Sequence, residues 1–103
     1  MERRDVLYPG MGSLNEDELR GAIVALRDVA ADLLQWKKTA ALQSADAERQ
    51  GDTSTARERR QDSIAYDRVA MNLENRADGL GLRLLARMSL REEGRRYERR
   101  NPR

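Results

Sequence analysis

Ala47-Glu48-Arg49-Gln50-Gly51-Asp52-Thr53-Ser54-Thr55-Ala56 is a polar interruption between two long apolar patterns of helical period. The first pattern runs from Leu14 to Ala47, the second from Ala56 to Met88. Gly51 suits a left-handed helix end, and Thr53, Ser54 or Thr55 can cap the helix that follows. So short a connection returns the second helix alongside the first. The stretch therefore predicts an all-α fold: a long antiparallel helical hairpin over about 14–49 and 55–97.

Upstream of the turn, Ser13 and Glu16 have capping-box spacing, and Asp17 and Glu18 add charge where the helix dipole favours it. On a helical wheel, Leu19, Ala22, Ile23, Val29, Ala30, Leu33, Ala40 and Ala41 lie within about 60° of Leu26. Leu34 and Trp36 sit on opposite flanks, widening the apolar face to about 160°, more than one neighbouring helix needs. Val24 and Leu42 fall on the back as single exposed apolar residues. Residues 1–12, with Pro9, Gly10 and Gly12, read as an irregular arm in which Val6, Leu7 and Tyr8 form a small apolar patch. Folding back onto the open end of the hairpin is the simpler expectation for that patch, and docking on a neighbouring subunit the alternative.

Downstream, Val69, Ala70, Leu73, Ala77, Leu80, Leu84 and Met88 stay within about 60° of Tyr66. Their phase survives Asp78-Gly79-Leu80-Gly81, which favours one helix bent at the glycines over a break with residues 82–97 folded back. Ile64, Met71 and Leu82 form a second apolar line on another side. Pairing positions that sum to about 105 places Leu33 near Leu73, Trp36 by Val69 and Ala40 beside Tyr66. The loop end then has small or polar facing residues, so the core concentrates in the middle and at the open end. Lys37 lies inside the stripe. A snorkelling side chain is the expectation, with a salt bridge to Asp67 or to a partner's acid as the alternative.

Residues 13–97 thus form one hairpin domain, flanked by the arm and a basic tail at 98–103. A chain of 103 residues with 37 % charged side chains and thirteen alanines has a thin core, which docking on something else would complete. It has no His and no Cys, so the usual general base, thiol nucleophile and soft metal ligands are missing. Asp28 with Asp32, and Glu74 with Asp78, are carboxylate pairs at i,i+4. On polar helix sides, surface solvation explains them better than a hard divalent cation does. No catalytic, metal or cofactor site is expected. The absence of a leader-like or membrane-spanning apolar run points to a cytoplasmic protein or part of a virion.

Arginine outnumbers lysine eighteen to two. The formal charge of +2 divides into an acidic body, net −3 over residues 1–82, and a basic end, net +5 over residues 83–103. Arg83, Arg87, Arg91, Arg95 and Arg99 recur every four residues and are joined by Arg96, Arg100 and Arg103, a ribbon on one helix side. A solvated charged end is the simplest reading. Nucleic-acid phosphates are one alternative, and a neighbour's acidic surface is the other.

The hairpin outline is similar to the small secreted hairpins of the type VII pathway, which carry Trp-x-Gly in the turn. Here Gln50-Gly51-Asp52-Thr53-Ser54 takes that place and Trp36 lies within the first helix, so nothing carries over. The expectation is a non-catalytic structural or adaptor protein that self-associates or docks into a larger assembly, such as a virion or phage particle or a bacterial assembly factor. Ile23, Leu34, Trp36, Ile64, Met71 and Leu82 are its expected partner interface. A nucleic-acid-binding accessory role through Arg83, Arg87, Arg91, Arg95, Arg96, Arg99 and Arg100 is the alternative.

Overall fold

The computed structural model describes residues 14–100 and consists of two helices, α1 (Glu16–Arg49) and α2 (Thr53–Arg100). They pack antiparallel into a rod of 79 × 28 × 15 Å. The irregular arm over 1–12, the Ser13 cap and Arg103 lie outside the described residues.

The turn closes as the glycine implies. Gly51 has φ 77°, its N–H donates to Glu48 O at 3.0 Å, and the Asp52 N–H reaches Ala47 O at 2.9 Å. This paired bonding satisfies two carbonyls that the end of α1 would otherwise leave open. Both helix starts are capped one or two residues away from the positions expected. On α1 the cap is Asn15: its side chain accepts from the Glu18 N–H at 2.8 Å, while Glu18 Oε1 accepts from the Asn15 N–H at 3.0 Å. The reciprocal chemistry expected of Ser13 and Glu16 is present, two residues later. On α2 the cap is Asp52, not Thr53, Ser54 or Thr55, and its carboxylate accepts from the Thr55 N–H at 3.1 Å. That hydrogen bond holds the Asp52 carboxyl below its ordinary value of 3.8.

The seam follows an alternation of three- and four-residue steps. Leu19, Ile23, Leu26, Ala30, Leu33, Lys37, Ala40, Ser44 and Ala47 of α1 are buried or half-buried. So are Ala56, Arg59, Ser63, Tyr66, Ala70, Leu73, Ala77, Leu80, Leu84 and Arg87 of α2. A burial period of seven per two turns is that of a coiled coil, in which slight supercoiling keeps the seam facing its partner. Leu19, Ile23, Ala77 and Leu80 form one core cluster near the open end, and Ala30, Leu33 and Ala70 a second in the middle. Towards the loop the seam is alanine and Ser44, whose buried hydroxyl donates to Ala56 O at 2.7 Å.

α2 passes Gly79 and Gly81 without interruption, so residues 82–97 continue it and do not fold back. The reason lies in the seam: its steps run unbroken through Ala77, Leu80 and Leu84, and a fold-back would forfeit that packing. At Lys37 the alternative of a salt bridge is the one that forms. Its half-exposed side chain carries the ammonium to Asp67 Oδ1 at 2.8 Å, because Asp67 stands beside it at the same level of the hairpin.

Candidate interaction face

A two-helix rod buries one stripe of each helix and leaves two broad sides. On one side, polar contacts clip the helices together. Arg27 meets Asp78 at 3.2 Å, Arg60 bonds Glu48, and the Arg20 guanidinium lies 3.9 Å from the Met88 sulfur. These exposed pairs fix register more than they add stability.

Of two groups of exposed apolar residues, one comprises Val29, Trp36, Val69, Leu90 and Tyr97 on the opposite side, and the other lies on this same side. Helical geometry puts Val24 and Leu34 of α1 there, with Ile64, Met71 and Leu85 of α2, the last three spaced in sevens across Asp78. Leu82, at the edge, is 70 % exposed, and Met71 is 58 % exposed. At the open end a shallow groove runs between Val24, Leu82, Leu84 and Leu85, rimmed by Arg20, Arg27 and Asp78.

The six expected interface residues therefore separate. Leu34, Ile64, Met71 and Leu82 come together on this one side. Ile23 is buried against the open-end core with Leu19, Ala77 and Leu80, and lies at the floor of the same groove. Trp36 faces the other side, where its ring meets Tyr66 edge-on with centroids 5.8 Å apart, while Val69 is exposed. Val24, which the wheel left alone on the back of the first helix, completes the patch with Leu85, which the sequence did not single out. Their signal was the heptad: Val24 follows Ile23 of the seam, and Leu85 follows Leu84, as Ile64 follows Ser63 and Met71 follows Ala70.

The arginines do not form one free ribbon. Arg83 is half-buried, and its Nη1 is enclosed without a hydrogen-bond partner. Arg87 donates to the Leu14 carbonyl, and Arg91 meets Glu16 at 2.6 Å. Arg95, Arg96 and Arg99 lie 3.8, 3.7 and 3.6 Å from Glu92. The Arg100 side chain is outside the described part. Much of the tail's charge thus meets acids within its own chain, including Glu16 of the helix start.

Of the carboxylate pairs, Asp78 is engaged by Arg27, and Asp28 and Asp32 are exposed. Among the described residues, no three acidic side chains gather as metal ligands would. No helix among them is long and apolar enough to cross a membrane. Comparison with protein-family models, with characterised proteins and with solved structures finds no match.

Proposed function

We propose that the chain is a non-catalytic structural or adaptor protein that works by associating through the apolar side built from Val24, Leu34, Ile64, Met71, Leu82 and Leu85. The observation that carries this is the gathering of six large apolar residues on one side of a rod in which, among the described residues, six of the ten buried apolar ones are alanine. Large exposed apolar residues gathered on one side of a helix pair, here interspersed with Arg27, Lys38, Asp67 and Asp78, suit an association site. The short inventory of large side chains inside the seam gives the fold a reason to gain stability from a partner. A particle subunit of a virion or phage and a bacterial assembly factor are both settings for such a protein.

Nucleic acid finds less to hold. Arg87 and Arg91 are engaged at the start of α1, and Arg95, Arg96 and Arg99 surround one glutamate. A polyanion would have to compete with those contacts, so phosphate binding through the tail is the weaker reading.

The test is the solution mass of the full chain by light scattering at physiological salt, paired with affinity capture. A discrete oligomer or a stoichiometric protein complex supports association. A stable monomer that captures no protein contradicts it.

A further inference from the structure

We propose that the occupant of the apolar side is a second copy of this chain, packed face to face about a twofold axis parallel to the rod, so that two hairpins form a four-helix bundle. The proposal rests on the association reading above and narrows it to one partner and one surface.

The argument is one of self-complementarity. Within one hairpin, residues at the same level sum to about 105, as the ion pairs of Arg27 with Asp78 and Lys37 with Asp67 demonstrate. A twofold axis along the rod keeps every level unchanged and sets each helix of one copy against the opposite helix of the other. The same pairing rule then holds across the interface. Leu34 falls against the partner's Met71, Val24 against the partner's Leu82 and Leu85, and Ile64 against the partner's Ala41. Charges match as well. Arg27 lies opposite the partner's Asp78, Lys38 opposite the partner's Asp67, and Glu48 opposite the partner's Arg57. These three levels pair opposite signs and favour one register of an isologous contact, while Arg20, Glu74 and Arg60 meet the partner's Leu85, Ala31 and Ala45 and must reach past them to water.

The other twofold arrangement that brings these sides together has its axis across the helices. Centred on Leu34 and Met71, it pairs only Arg20 with the partner's Glu48 and sets Arg27, Arg57 and Asp78 against the partner's Ala41, Leu85 and Ile64, so it matches fewer charges than the parallel axis does. Size is also adequate. The patch extends over some twenty-one residues of helix rise and two helix widths, roughly 32 by 20 Å, and so approaches the roughly 800 Å² per partner of a standard interface.

The test exploits a chain that has no cysteine of its own. Leu34→Cys and Met71→Cys are prepared separately, mixed and oxidised. The arrangement predicts that the mixed disulfide forms in excess over either homodisulfide. Dominant Leu34→Cys homodisulfides would overturn it in favour of the crosswise axis, and no cross-link above the level of a Gln35→Cys control would overturn the face itself.

In parallel, Leu34→Glu with Met71→Glu is expected to weaken self-association at least about tenfold while Trp36→Gln, on the other side, leaves it unchanged. An oligomer whose mass survives the double substitution overturns this surface but leaves the association reading intact. A wild-type monomer overturns the homodimer. The broader reading falls with it only if the monomer also captures no other protein.

Discussion

Arg91, near the end of α2, reaches across the open end of the hairpin to Glu16 in the first turn of α1, its Nη1 2.6 Å from the carboxylate Oε1. One turn earlier, Arg87 bonds the Leu14 carbonyl just ahead of the cap residue Asn15. Two arginines thus tie down the point where the chain enters the fold, using the last third of the longer helix as an arm.

Because the Arg91 side chain is 48 % exposed, the pair is worth little in global stability. Arg91→Ala is expected to cost no more than about 1 kcal/mol in urea unfolding. Its effect is local: amide exchange over residues 15–19 and 88–97 should quicken while exchange over residues 26–33 is unchanged. Uniform acceleration along the rod would show the contact to be global.

The middle of the seam depends on alanine at close approach. Ala30 and Ala77 are fully buried and Ala70 is 1 % exposed. Ala70→Leu, though more apolar, should therefore destabilise by about 1–3 kcal/mol through overpacking. Leu33→Ala should cost about 2–5 kcal/mol. A stabilised Ala70→Leu chain would mean that the helices are further apart than the seam requires.

Two glycines should respond in opposite directions. Gly51 holds φ 77°, so Gly51→Ala should cost about 1–2 kcal/mol. A Cβ at Gly79 would meet nothing within 4 Å, and the position lies inside a helix, so Gly79→Ala should gain about 0.5–1 kcal/mol. Thermal unfolding of both variants reads the contrast.

Asp52 caps α2 with a carboxyl held below its ordinary value of 3.8 by the hydrogen bond from Thr55. A lowered folded value means that the ionised cap stabilises above the ordinary carboxylate range, and that this contribution is lost as the pH falls through the folded value. Asp52→Asn keeps an accepting oxygen and cannot titrate. Between about pH 5 and pH 2 the wild type should therefore lose more stability than the variant, as read by urea midpoints. Parallel profiles would show that the cap does not contribute.

Arg83 encloses an Nη1 with no hydrogen-bond partner at the flank of the seam. Arg83→Met keeps the aliphatic stem and removes the unmatched donor, so stability should hold or rise, by up to about 1 kcal/mol. A loss above that in urea unfolding would reveal a partner for the guanidinium.

The hairpin was legible because its two determinants are local: apolar period and a glycine at the reversal. Caps were harder to place. Ser13 with Glu16 and Asn15 with Glu18 satisfy one spacing rule two residues apart, and Asp52 precedes three hydroxyl residues that can also cap. At Lys37 the register placed Asp67 within reach, and the salt bridge weighed as the alternative is the contact that forms. The interaction face was less legible. Leu34 on one wheel and Ile64, Met71 and Leu82 on the other stood out as apolar residues off their stripes, but only the paired helices put them on one side. Ile23 went the opposite way, since a broad face does not say which of its members the neighbour covers.

The central claim is that this thin-seamed rod is completed by a second copy of itself, and the most direct measurement is its unfolding midpoint as a function of protein concentration. If association through the apolar side stabilises the fold, the midpoint rises steadily over a hundredfold range of concentration, and the native mass at the upper end is twice the chain's 11.8 kDa. A midpoint that stays constant across that range, in a chain of monomer mass, would contradict the account.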